Sequence, residues 1–456
     1  MNDSTKPPGE EGGQHSQFAL LRKRRFLPLF ATLFMGAFND NAYKIALAAV
    51  LSSKEARPWT GIEPGVLNNL AGALFIFPYL LFSAIAGQMA DKFDKALLAR
   101  CVKALEIPII VLAGIGFWLR SLPVLLTALF LLGLQSTLFG PLKYALLPQH
   151  LRPNELVGGN ALVEAGTFVA ILIGTIVGGV LGDLNGSIEW LIGICFVLAI
   201  GGFLTSCRIP TAPAPVPGLK ISLNLFSETL RCFRLGCRER SVFLSIIGLS
   251  WFWAYGALLL TQFPVYTKEV LGGENGLMTA LLAVFSIGIG TGSLICERLT
   301  RVRGKLVEPG LVPIGALGMT IFGIDLSLAT PASTPSTLLP LAEMLNMGNT
   351  WRVLVDLLML GGFGGLYCVP LYALIQQRTE VEYRARIIAA NNILNAVFMV
   401  VISVSAAAFL WEGFGLGIPK LFLCVAILHG IVTVYIFSVV PEFFIRAMVW
   451  LGLRQE

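Results

Sequence analysis

Roughly twelve stretches of predominantly apolar residues, each about long enough to cross a bilayer, divide this chain between residues 26 and 439. Hydrocarbon offers no partner to a backbone N–H or C=O. A run of about 20 apolar residues therefore crosses as a helix, whose backbone bonds close within the segment. The stretches lie near 27–51, 65–90, 97–118, 123–147, 156–182, 188–206, 241–266, 276–296, 307–328, 351–376, 387–411 and 417–439, with mostly short polar links between them. The expectation is an all-α, polytopic membrane protein with twelve transmembrane helices. Its 55% hydrophobic and 13% charged residues place it outside globular usage on the membrane side.

Basic residues collect on the cytoplasmic side of such proteins, which orients the bundle. With the N-terminus inside, the inner segments hold Arg22, Lys23, Arg24 and Arg25, then Lys92, Lys95 and Arg100, and later Arg231, Arg234, Arg238 and Arg240. The outer links hold Lys54, Arg57, Arg120, Lys268, Arg352 and Lys420. This alternation fits an even number of spans with both termini cytoplasmic. The net charge of +6 thus reflects topology, and a nucleic-acid reader, which needs a basic soluble surface with interleaved aromatics, is not expected. Residues 1–17 are polar and contain Gly and Pro, so 1–25 is read as a disordered cytoplasmic N-terminus ending in a signal-anchor-like basic run. Eight cysteines (101, 195, 207, 232, 237, 296, 368 and 424) fall in spans or on the inner side, where thiols stay reduced, and no disulfide is expected. Cys232 and Cys237 are out of register with a zinc pair and have no His nearby, so no metal or other cofactor is expected.

Two halves, 26–208 and 241–440, flank a linker at 209–240 that opens on the Pro-rich run 209–218. Leu225, Phe226, Leu230 and Phe233 then recur at helical spacing, opposite Arg231, Arg234 and Arg238. That pattern suits a helix resting on anionic headgroups, and the tail 441–456 reads the same way. The halves also repeat each other at about 230 residues, a mark of two-domain transporters. Pro141-Leu142-Lys143-Tyr144-Ala145-Leu146 is answered by Pro370-Leu371-Tyr372-Ala373-Leu374 once Lys143 is treated as an insertion. Asn160 and Glu164 are likewise answered by Asn391 and Asn395.

Charge inside a span is costly and marks function. Asp40 and Lys44 are four apart, so they share a helix face and can neutralise each other or meet a charged solute. At helical rise Asp40 lies about 21 Å in from Phe26, near or just beyond the bilayer centre. The pair, with Asn39 and Asn41 beside it, is the leading substrate-binding candidate; the plainer reading is a self-neutralised pair that only tolerates burial. Lys143 and Glu164 lie near the inner ends of spans four and five, suited to an inner gate or an anionic contact, or else to a snorkelling Lys and a solvated Glu. Asn160, Asn391 and Asn395 join the substrate-binding candidates, although interhelical hydrogen bonding is the commoner use of such residues. Glu106, in the inner half of span three, fits either role, and Asp325 and Asp356 lie close enough to the outer surface to be solvated. Glycine runs at 174–182 and 361–365 sit inside spans, where they let helices approach; they are not phosphate loops. His15, His150 and His429 form no relay, which leaves Asp40 and Glu164 as possible proton carriers. No nucleophile–base pair or metal cluster is legible, so an enzyme is not expected.

Six plus six helices, a basic central loop and parallel repeats resemble the major facilitator superfamily. Gly87-Gln88-Met89-Ala90-Asp91-Lys92-Phe93-Asp94-Lys95 looks like its gating signature, so Gly87, Asp91, Lys92 and Lys95 are read as an inner latch. Within the superfamily, Gly36-Ala37-Phe38-Asn39-Asp40-Asn41, Pro141-Leu142-Lys143-Tyr144 and Gly159-Asn160-Ala161-Leu162-Val163-Glu164-Ala165 resemble the LplT-type lysophospholipid transporter family, including the transporter part of its acyltransferase-fused relatives. The resemblance implies two pseudo-symmetric halves rocking about a central cavity. It also implies flipping of lysophospholipids, such as lysophosphatidylethanolamine, to the inner leaflet of a bacterial inner membrane for re-acylation. The expected form is a monomer among membrane lipids, with an acyltransferase as a possible partner. Here span seven, from Trp251 to Pro264, lacks the basic residue that some relatives carry there. The rival readings are an exporter of an amphipathic drug or siderophore, and a non-transporting scaffold for a membrane acyltransferase.

Overall fold

The computed structural model describes residues 16–52, 64–182, 187–302, 307–331, 337–410 and 417–453. Within them, twelve helices of eighteen residues or more stand where hydropathy places the spans. They are α1 (Leu27–Ser52), α2 (Pro64–Lys92), α3 (Lys95–Trp118), α4 (Leu122–His150), α5 (Leu156–Leu181), α6 (Ile188–Ser206), α8 (Arg240–Val265), α9 (Asn275–Val302), α10 (Leu311–Leu328), α11 (Gly348–Arg378), α12 (Arg384–Phe409) and α13 (Ile418–Val439). Two shorter helices, α7 (Leu225–Gly236) and α14 (Pro441–Trp450), lie in the linker and the tail. Ten of the helices are long and apolar enough to cross a membrane. α1 is not among them, because Asn39, Asp40, Asn41 and Lys44 interrupt its apolar run.

Glycine sets how closely these helices approach. In the N-terminal half α1 lies on α5, where a Cβ at Gly174 would meet the Phe38 carbonyl at 2.6 Å and the Ala42 nitrogen at 3.3 Å. In the C-terminal half α9 lies on α11, where a Cβ at Gly361 would meet the Phe285 carbonyl at 2.5 Å and the Ile289 nitrogen at 3.0 Å. Small residues substitute here for the hydrophobic drive that lipid cannot supply. Gly174→Ala should push α1 off α5 at the turn that carries Asp40. A cost of about 1–3 kcal/mol is expected, read as a lower unfolding temperature in detergent than wild type.

The halves meet at the end of the bundle that carries the linker. A Cβ at Gly87 of α2 would lie 2.8 Å from the Ala389 Cβ of α12. One turn on, Asp91 accepts a hydrogen bond from Arg386 Nε at 2.9 Å and one from the Ala385 amide at 3.2 Å. That amide is one of the unpaired N–H groups at the start of α12, where the helix dipole also favours a carboxylate. Asp91 and Arg386 are both buried. Between α5 and α11, Asn160 Nδ2 donates to Gln376 Oε1 at 2.6 Å, and Gln376 Nε2 donates back to Asn160 Oδ1 and to the Tyr144 carbonyl, each at 3.1 Å. The repeat-matched Tyr144 and Tyr372 stack face to face, centroids 4.0 Å apart.

Three segments depart from the expectations. The expected N-terminal disorder holds no place in residues 16–25; residues 1–15 lie outside the described residues. Gln17–Arg22 forms a 3-10 turn with Leu20 buried, and Lys23 and Arg25 share Glu155 at 2.8 and 2.7 Å. Apolar anchors at Leu20 and Phe26 and one loop carboxylate are enough to order it. The Pro-rich linker is fastened to the N-terminal half. Ala212 N donates to Asp94, Val216 N to the Asp91 carbonyl, and Ser222 N to Gln88, each at 2.9 Å. Along α7, Phe226 and Leu230 face outward as expected, whereas Phe233 packs inward beside Ala84, Cys232, Ala390 and Ile393. In the tail helix, Phe443 is buried and Glu442 pairs with Arg378 at 2.5 Å.

Candidate functional site

At 100° per residue, the polar middle of α1 points two ways. Asp40, Asn41 and Lys44 face a cavity of about 200 Å³ walled by α1 to α5. Its other polar lining comes from Tyr79, Lys103, Gln135, Ser136, Lys143 and Thr167, and its apolar lining from Leu33, Phe75, Phe139 and Ile171. Asn39 points away. It is fully buried, and its Nδ2 donates to Glu106 Oε1 at 2.7 Å and to the Cys195 carbonyl at 3.1 Å, tying α1 to α3 and α6. Asn39 therefore belongs to the frame of the site and not to its wall.

Asp40 and Lys44 share the cavity, but each takes a different neighbour as its direct partner. Asp40 Oδ2 accepts from Ser136 Oγ of α4 at 2.6 Å, whereas Lys44 Nζ lies 4.4 Å from the centre of the Phe75 ring of α2. A cation over an aromatic face is stabilised without a counter-ion, and so stays available. Asn41 Nδ2 is spent on its own helix, on the Ala37 carbonyl at 2.7 Å.

Beside them lies a pair that sequence reading did not assemble. Lys103 and Glu106 of α3 are joined at 2.6 Å, both almost fully buried, with Lys103 reaching the cavity edge. Glu106 also accepts from Asn39 and, at 3.3 Å, from Gln135 Nε2 of α4. Three donors from three helices hold this buried carboxylate in place. Gly36 provides the room, because a Cβ there would collide with Lys103 Nζ. The clue was present in the sequence: a Lys three residues before a Glu in one span forms a couple of the same kind as Asp40 and Lys44.

Lys143 stands where the cavity meets the seal. Its Nζ donates to Thr167 Oγ1 at 3.2 Å and lies 3.6 Å from Glu164 Oε1. Glu164 is buried, not solvated, and takes a short hydrogen bond from the Tyr144 hydroxyl. Tyr144 stacks on Tyr372, whose hydroxyl accepts from Trp253 Nε1 at 2.7 Å, and Trp253 stacks on Phe168. An unbroken line of contacts thus runs from the cavity into the cross-half seal.

The remaining candidates lie elsewhere. Asn160 is bonded to Gln376 in the seal. Asn391 is buried with neither amide atom partnered. In the repeat the residue answering Gln376 is Pro148, which has no amide side chain to offer it. Asn395 accepts from Ser250 at 2.9 Å within its own half. Of the latch residues, Gly87 and Asp91 touch the opposite half. Lys92 lies over Phe93, and the Lys95 backbone nitrogen bonds the linker at Ala212. Asp356, expected to be solvated, is buried, while Asp325 pairs with Arg352 at the surface. Among the described residues, no three His, Cys, Asp or Glu side chains gather as a metal site.

The family model described as Major Facilitator Superfamily matches residues 29–403. A curated protein named Lysophospholipid transporter LplT, from Cronobacter sakazakii, is 28% identical over 403 residues, which cover 86% of this chain and 88% of that one. Its namesake from Enterobacter sp. is 28% identical over 348 residues, covering 76% and 78%. Among solved structures, the human organic anion transporter MFSD10 superposes with a TM-score of 0.71 at 13% identity, over 91% of this chain and 99% of that one. FucP in the outward conformation gives 0.67 at 12% identity, over 91% and 98%.

Proposed function

The chain belongs to the Major Facilitator Superfamily, and from that premise we propose that it carries lysophospholipids across a bacterial inner membrane by alternating access. The observation that supports this most is the make-up of one cavity: Lys44, Lys103 and Lys143 on its walls, Asp40 among them, and apolar rings alongside. A lysophospholipid headgroup offers a phosphate and, in lysophosphatidylethanolamine, an amine. The phosphate is assigned to Lys44 and Lys143, the amine to Asp40, and the acyl chain to the side of Phe75 and Phe139. Such contacts are favourable inside a membrane chiefly because the alternative is an unpaired ion. Lys103 is a third cation, from α3, in a protein whose span seven has none. Delivered lysolipid would then be a substrate for re-acylation by an acyltransferase.

The test is flipping of labelled lysophosphatidylethanolamine and lysophosphatidylglycerol by purified protein in proteoliposomes, with and without sodium or proton gradients. Inward flux above protein-free vesicles supports the proposal. Absent flux, together with expulsion of amphipathic drugs, would replace it with the exporter reading.

In this cycle the Asp91–Arg386 contact holds the linker end shut. Removing one partner of a buried ion pair leaves the other uncompensated, at about 3–5 kcal/mol. Asp91→Asn should therefore raise labelling of a cysteine placed at position 389, near Gly87, by a membrane-permeant maleimide. Unchanged labelling would remove the contact from the gate.

A further inference from the structure

We infer that α7 is a lipid-operated brace: it docks on anionic phospholipid in the leaflet at the linker end, and by docking it holds the α2–α12 seam closed. α7 has two distinct faces. Its inner face, with Glu228, Cys232 and Leu235 buried, packs against α2 and α12 together, through Cys232 and Phe233 beside Ala84, Ala390 and Ile393. Those two helices belong to opposite halves, and they are the ones that Asp91 and Arg386 join. A helix seated on both stabilises their contact only while it remains seated.

The outer face has the pattern of a membrane-surface helix. Phe226 is 76% exposed with Leu230 one turn on, and Leu223, just before the helix, is 77% exposed. On a helical wheel of α7, Arg234 and Arg231 follow on one side of Phe226 and Leu230, and Arg238 lies just past the helix end. Apolar residues would enter the headgroup boundary there, and the guanidinium groups would reach lipid phosphates. Arg231 is 58% exposed in its side chain and only loosely paired, 3.8 Å from Glu228. Arg238 differs, because it also covers Tyr383 at 5.3 Å and so belongs partly to the protein frame. Asn224 caps the helix by accepting from Ser227 N at 3.0 Å, and Ser222 anchors the preceding turn to Gln88. The start of the helix is thus tethered to the bundle, with its basic and apolar edges turned outward. Charge complementarity with an apolar margin favours an anionic lipid surface over a protein partner.

The test uses full-length protein in nanodiscs of zwitterionic lipid alone or with added phosphatidylglycerol, read by hydrogen exchange at the start of α12 and along α7. The lipid effect on the gate is read without any transported substrate, so it stands or falls apart from the transport proposal. Wild type should gain protection in both segments as phosphatidylglycerol is added, and lose the gain at high salt. Arg231→Gln combined with Arg234→Gln should weaken the apparent lipid dependence about thirtyfold, at about one kcal/mol for each charge near the surface. Phe226→Ser should weaken it with the charge unchanged. Equal protection in both lipids, or a double variant that responds like wild type, would overturn the brace. Protection of α7 that appears only when a soluble protein is added would overturn it in favour of a protein partner.

Discussion

Asp40→Asn is expected to cut lysolipid flipping in proteoliposomes severely while the protein purifies and unfolds as wild type does. The substitution keeps shape and leaves an oxygen to accept from Ser136, so the α1–α4 contact survives. What disappears is the carboxylate charge at the cavity wall. A hydrogen bond to a charged group contributes about 1.5–3 kcal/mol, so flux should fall on the order of ten- to a hundredfold, and more for an amine-bearing headgroup than for lysophosphatidylglycerol. Full activity of the variant would end the assignment of Asp40 to the substrate.

Glu106→Gln should have the largest effect on stability. Glu106 is nearly fully buried and answers Lys103, Asn39 and Gln135 at once. Removing its charge leaves an ammonium buried in the bundle, at about 3–5 kcal/mol. The expected result is poor recovery from the membrane and early unfolding in detergent. Lys103→Met added to Glu106→Gln should restore much of the stability, because removing both charges removes the penalty. The double variant should still transport poorly, since the cavity would have lost one of its three cations. Restored stability with restored transport would mean that Lys103 serves the fold alone.

The spans were legible because bilayer thickness forces long apolar runs, and all twelve helices lie where those runs lie. The site was legible along the chain and obscure across it. Asp40, Lys44 and Lys143 were marked by charge within apolar sequence, and they do line one cavity. Asn39 could not be separated from Asp40 by composition; one helical step of rotation sends the two to different neighbours. Glu106 was ambiguous because only Lys103 shares its span; Asn39 and Gln135 come from α1 and α4, and tertiary contacts of that kind leave no mark in a single span. The aromatic stack of Tyr144 on Tyr372 was present as a repeat, but its meaning appeared only when the halves were set face to face. The order in residues 16–25 was hidden because two buried apolar residues and a distant Glu155 outweigh a polar composition.

Lys143 is shared between the cavity and the contacts that close the linker end, and this bears on the membrane's electrical tightness. A carrier that opened while empty would pass ions down the cell's potential. The Lys143 ammonium rests against Glu164, whose carboxylate holds the Tyr144 hydroxyl and through it the stack on Tyr372. If a phosphate takes Lys143, as proposed, that hold on Glu164 loosens only in a loaded protein. The same side chain would then make leakage through the empty carrier rare without any separate plug.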